Sequence, residues 1–151
     1  MKSRPSTPDV PRNSDITRPA DLPTGYDACR FKTACPLPPG DFSIVTAWNP
    51  MDRCWSVKMN RAADLRLKRW LERRSLPRLR VTCCGEDGGH SEEGWMIPTD
   101  FVSSHRLARH FRQRAFWWIQ NGRLHLVHCR SGSCIPIADF PKRLSPETEA
   151  D

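Results

Sequence analysis

The chain has 151 residues, with 24 Lys and Arg against 17 Asp and Glu, a formal charge of +7 and 14 prolines. That length fits a single domain, and no stretch approaches the roughly 18 uninterrupted apolar residues of a membrane span. Met1-Lys2-Ser3-Arg4-Pro5 opens a polar segment without the apolar core of a signal peptide. Seven irregularly spaced cysteines make a poor disulfide framework, so the expected setting is a reduced cytoplasm.

Residues 1–40 hold eight of the prolines and few aliphatic side chains. Such a segment cannot offset its ordering entropy by burial, and it reads as a disordered proline-rich leader. The stretch 131–151, with Pro141-Lys142-Arg143 and a run of acids, reads as a flexible tail. Residues 41–130 remain as one modest domain.

Asp41 to Trp48 is rich in β-branched and aromatic residues and stops at Asn49-Pro50, as a buried strand ended by a turn. Ser56 suits the N-cap of a helix running to about Arg74. At about 100° per residue, Met59, Ala63, Leu67, Trp70 and Leu71 share one stripe, while Arg61, Arg66, Lys68, Arg69 and Arg73 face away. Asn60 interrupts the apolar side. Ser75-Leu76-Pro77 ends the helix, and Leu79 to Cys84 alternates as a second strand. After a glycine turn over 85–90, Gly94 to Ile97 returns as a third. Ser103 or Ser104 caps a second helix with Leu107, Ala108 and Phe111 inside. Last come Ala115–Gln120 and Arg123–His128 around Asn121-Gly122, a hairpin signal because a type I′ turn needs positive φ at both central residues. The order β-α-β-β-α-β-β implies an α+β fold: two layers, a mainly antiparallel sheet with two helices on one face.

Phe42-Ser-Ile-Val-Thr-Ala-Trp-Asn-Pro50, Asn60, and Leu107-Ala-Arg-His-Phe-Arg-Gln113 leading into Ala115-Phe-Trp-Trp118 resemble a family of small bacterial proteins, the domain of unknown function 3293. The resemblance spans about residues 42–128 and misses both tails. It supports the fold and implies no activity. Two positions depart from the family pattern. Arg112 stands where the family usually has glycine, so the second helix is expected to end without a glycine cap. Glu93-Gly94-Trp95 stands where the family tends to carry Glu followed by Pro-Ser or a similar pair.

Four polar residues stand out as a constellation: Asn49, Asn60, Glu93 and Gln113. An amide on an apolar stripe must find partners. Asn60 either ties down the Asn49-Pro50 turn as scaffold or contributes to a small polar pocket at the strand ends. Arg61, Arg66, Lys68, Arg69 and Arg73, extended by Arg106 and Arg109, form either a solvated face or a polyanion-binding surface. Trp117 and Trp118 point to opposite faces of a strand, so one of them marks a second covered face or a protein contact. The cysteines and histidines lack the paired spacing of a zinc site, and no nucleophile elbow, P-loop or dinucleotide fingerprint is present. No metal, cofactor or catalytic residue is assigned. The first expectation is a non-enzymatic module acting through a protein partner, the second a nucleic-acid-associated protein, and the third an enzyme built on the polar constellation.

Overall fold

Asn121 and Gly122 both take positive φ, 51° and 75°, and turn the chain between two strands in register from Ala115↔His128 to Gln120↔Arg123. That is the hairpin their chemistry favours. The computed structural model describes residues 18–86 and 89–145. Its strands are β1 (Arg30–Lys32), β2 (Phe42–Thr46), β3 (Leu79–Cys84), β4 (Ser91–Ile97), β5 (Ala115–Gln120), β6 (Arg123–His128) and β7 (Cys134–Asp139). Helix α1 (Val57–Arg73) follows β2, and α2 (Phe101–His110) follows β4.

The two-layer α+β arrangement in the order β-α-β-β-α-β-β is overturned. The chain folds as a seven-stranded antiparallel half-barrel, mostly sheet, ordered β1-β3-β4-β2-β5-β6-β7. The two added strands come from segments whose composition suggested tails. β1 lies at one edge and contributes Phe31, which is fully buried. β7 lies at the other edge and tolerates Pro136 opposite His125, next to a register shift. Within the described residues the leader also carries a short 3-10 helix, Thr24–Ala28, and buries Leu22. Residues 1–17 and 146–151, which complete the expected leader and tail, lie outside the described residues.

Curvature joins the edges. β1 and β5 stand four strand positions apart, roughly 19 Å in a flat sheet at about 4.8 Å per step. Yet the rings of Phe31 and Trp117 meet edge-on with centroids 5.4 Å apart. Beyond β7, Leu144 bridges to Phe31, and the Ser145 N–H donates to the Phe31 carbonyl at 2.8 Å. The inward side therefore fills with Phe31, Phe42, Ile44, Met96, Trp117, Leu126 and Phe140. Val45, Trp95, Ile97, Phe116 and Trp118 form a second core with Ala63, Leu67 and Leu71 of α1 and Leu107 of α2. Trp117 and Trp118 are 5% and 2% exposed, one in each core. Neither is left over to form a protein contact.

Helix ends follow local chemistry. Ser56 Oγ accepts the Met59 N–H at 3.2 Å, capping α1 as expected. Met59 itself is 47% exposed rather than inside, because it lies about 40° outside the arc that Ala63 opens. For α2 the cap is Asp100, not Ser103 or Ser104. Its carboxylate accepts the Ser103 N–H at 2.7 Å, and that bond holds the carboxyl below its usual range. At the far end the Gln113 N–H reaches the Ala108 carbonyl and the Arg112 N–H reaches that of Arg109, both at 3.0 Å. This places Arg112 at φ 55°, the left-handed position that glycine occupies without steric conflict. Relief of that strain outweighs the added freedom of the unfolded chain, so Arg112→Gly is expected to stabilise by about 0.5–1 kcal/mol in urea unfolding.

Candidate ligand site at the open end of the half-barrel

Antiparallel pairing brings the end of β2 beside the start of β4 and the start of β5, so Thr46, Glu92 and the residues before Ala115 share one end of the sheet. Asn49 turns the chain there at φ 46°. Asn60 holds it from α1. The Asn49 N–H donates to Asn60 Oδ1 at 2.9 Å, and Asn60 Nδ2 donates to Asn49 Oδ1 at 3.0 Å and to the Trp55 carbonyl at 3.3 Å. The Trp55 N–H also donates to Asn49 Oδ1, at 3.0 Å. Asn60, 2% exposed, thereby finds partners for every polar atom the apolar stripe would otherwise strand.

With its own amide oxygen so occupied, Asn49 directs Nδ2 to Glu92 Oε1 at 3.0 Å. Gln113 donates Nε2 to the Trp48 carbonyl at 3.1 Å, which turns its Oε1 toward Thr46 Oγ at 3.2 Å. Thr46 Oγ lies at the same 3.2 Å from Glu92 Oε2. A hydroxyl has one proton and cannot serve two acceptors fully. A proton on Glu92 Oε2 resolves the conflict, since Glu92 then donates to Thr46 and Thr46 donates to Gln113. The environment favours that form. Burial pushes the Glu92 carboxyl upward, against the opposing hydrogen bond of Asn49 and the neighbouring His90, whose Nε2 is 3.3 Å from Oε1.

Gly94 makes the arrangement fit. It pairs with Thr46 across β2 and β4, and a Cβ there would stand 2.9 Å from Thr46 Cγ2 and 3.0 Å from the Val45 carbonyl oxygen.

Three of the four constellation residues, Asn49, Asn60 and Gln113, therefore meet. Glu93 does not join them. It shares the helix-side face with Trp95, where its carboxylate is 3.6 Å from Arg80 Nε. Arg80 also holds Asp64 through two bonds of 2.9 Å and lies 3.6 Å above the Trp95 ring. Glu92 takes its place because side chains alternate along β4, and Glu92 has the inward parity of Met96.

The cluster opens into a cavity of about 660 Å³, within the size range of small-molecule sites. Thr46, Asn49, Glu92 and Gln113 line its polar side, and Ile44, Ala115, Trp117 and Tyr26 its apolar side. Tyr26 comes from the expected leader and gave no signal in the sequence. Its ring meets Trp117 edge-on at 6.1 Å, and its hydroxyl donates to Asp52 Oδ1 at 2.6 Å. Arg114 Nε donates to the other Asp52 oxygen at 2.5 Å. Burial and Asp52 push the phenol well above its usual range, so it stays protonated. Cys83 also lines the cavity, and its thiol is held high by a hydrogen bond with Cys29 and by burial. A nucleophilic cysteine needs the opposite shift.

The expected polyanion residues divide. Arg66, Arg69 and Arg73 line a groove between α1 and the end of α2, together with Arg53 and Arg112, which were not expected on that surface. Lys68 lies away from it, 3.9 Å from Glu72. Arg61, Arg106 and Arg109 are exposed but do not line the groove. Among the described residues no helix is long and apolar enough to cross a membrane, and no group of three His, Cys, Asp or Glu could hold a metal ion.

Residues 45–116 match the model of a family described as "Protein of unknown function (DUF3293)", a shorter stretch than the 42–128 that the motifs suggested. No curated protein and no solved structure matches the chain.

Proposed function

We propose that this chain, whose residues 45–116 belong to the DUF3293 family, is a small-molecule-binding module. Its ligand has an apolar body and a cationic or hydrogen-bond-donating head, and the head meets Glu92. The observation that carries this is the convergence of Thr46, Asn49, Glu92 and Gln113 on one cavity whose facing wall is Ile44, Tyr26 and Trp117. Few polar groups placed on a mainly apolar wall fix a ligand's orientation while burial supplies affinity.

Glu92 is the group that selects. Oε1 accepts from Asn49 and lies 3.3 Å from His90 Nε2, while Oε2 touches Thr46 Oγ, which leaves a lone pair for a donor arriving from the cavity. A cationic head would compensate the desolvated carboxylate, so binding favours the ionised form of Glu92 over the protonated one. Binding should then strengthen as pH rises through the Glu92 transition. Burial and the Cys29 hydrogen bond hold the Cys83 thiol in its protonated form, which disfavours Cys83 itself as a nucleophile.

Benzamidine and benzoate share a ring and differ in the sign of the head group. Benzamidine is expected to shift the amide resonances of Ile44 and Trp117 saturably, and Glu92→Gln to weaken it at least tenfold. Benzoate should leave both proteins unchanged. Benzamidine that misses these resonances, or binds the variant equally well, defeats the reading.

A further inference from the structure

We infer that the groove between α1 and the end of α2 is a binding site for a single strand of nucleic acid, separate from the Glu92 cavity. The groove encloses about 640 Å³ and is lined by five arginines, Arg53, Arg66, Arg69, Arg73 and Arg112, with no acidic residue among its lining. At about 100° per residue, Arg66, Arg69 and Arg73 fall within roughly 60° of one another on α1. The two acids of α1 lie elsewhere and are engaged, Asp64 by Arg80 and Glu72 by Arg78 and Lys68. No ion pair joins a described acid to any of the five groove arginines. Five like charges around one depression repel one another, and an anion relieves that repulsion.

The floor distinguishes a nucleic acid from a bare anion. It is built from Trp55, Trp70 and Phe111, with Ala47 and Ala63 beneath. Trp70 already stacks a guanidinium, that of Arg74, 3.5 Å from its ring centroid. Aromatic faces interleaved with arginine are how single strands are held without reading sequence, bases on rings and phosphates on cations. From Arg66 to Arg73 the helix advances roughly 10 Å at 1.5 Å per residue, longer than one phosphate can bridge and suited to a run of them. A duplex keeps its bases stacked and paired and so offers these rings no base face to hold.

The test is fluorescence anisotropy with a labelled twelve-residue oligo-dT, the same-length blunt duplex, and poly-glutamate as competitor. The wild-type protein should bind oligo-dT with a log–log salt slope near −2 to −3.5, for three to five phosphates at about 0.7 each. Arg66→Glu with Arg69→Glu should weaken it at least tenfold and flatten the slope by about 1.4. Both side chains are exposed, so unfolding midpoints should stay near wild type. Lys32→Glu with Arg130→Glu makes the same charge change outside the groove and should cost less than threefold. Equal weakening by the two pairs would reduce the effect to net charge and overturn the site. Tighter binding of the duplex, or displacement by poly-glutamate at equal charge concentration, would overturn the single-strand assignment.

Discussion

Asn60→Ala is expected to remove about 3–5 kcal/mol of folding stability, a large share of the roughly 5–15 kcal/mol available to a domain. The side chain satisfies the Asn49 N–H, Asn49 Oδ1 and the Trp55 carbonyl. Each buried group left without a partner costs about 1–3 kcal/mol. Trp55 still donates to Asn49 Oδ1, so the Asn49 N–H and the Trp55 carbonyl carry most of the loss. Asn60→Asp should fare little better, because it keeps the acceptor for Asn49 but loses the donor and sets a buried charge against two oxygens. Met59→Ala, one residue away and 47% exposed, should change stability by less than about 0.5 kcal/mol. Urea unfolding of the three variants measures this directly. A loss under 1 kcal/mol for Asn60→Ala would mean that water replaces the amide, and Asn60 would cease to be what positions Asn49.

The contrast between these neighbours shows what the sequence made legible. Periodicity alone placed Ala63, Leu67 and Leu71 inside and flagged Asn60 as anomalous, and all four are buried. Strands β3, β5 and β6 were readable because alternation and the Asn-Gly turn are local signals. β1 was not. It has three residues with one apolar side chain, Phe31, and it is a strand because β3 offers an unpaired edge and the curl supplies a core. β7 was hidden by Pro136, which an edge strand tolerates where a central one does not. The missed strands explain why the architecture was overturned, since without them the sheet has no reason to curl or to fill its inner face. The site suffered from a smaller error of the same kind. Starting β4 at Gly94 left the parity of Glu92 and Glu93 open, whereas a start at Ser91 sends Glu92 inward. Tyr26 becomes a site residue, and Arg114 its support through Asp52, only through contacts between segments far apart in sequence.

Glu92→Gln should stabilise the protein at neutral pH, and the benefit should disappear in acid. The Glu92 carboxyl is raised above its ordinary value of 4.5 by burial, so between the unfolded and folded transitions the native state holds a proton that the unfolded chain has lost. Stability then falls as pH rises through that window. The contribution of the neutral acid is complete below the unfolded value and is lost above the folded one. One proton sets the steepest slope at about 1.4 kcal/mol per pH unit. Glutamine reproduces the neutral geometry: its oxygen accepts from Asn49 as Oε1 does, and its amide donates to Thr46 Oγ as the protonated acid would. Thr46 is then free to donate to Gln113 at all pH values. The measurement is urea unfolding of both proteins from pH 4 to pH 8, read as the difference between them so that other titrating groups cancel. The curves should converge at the acid end and separate upward, with the variant the more stable. Parallel curves, or a wild type that gains on the variant as pH rises, would show that Glu92 is ionised in the native cavity and that Thr46 divides its single proton between two acceptors.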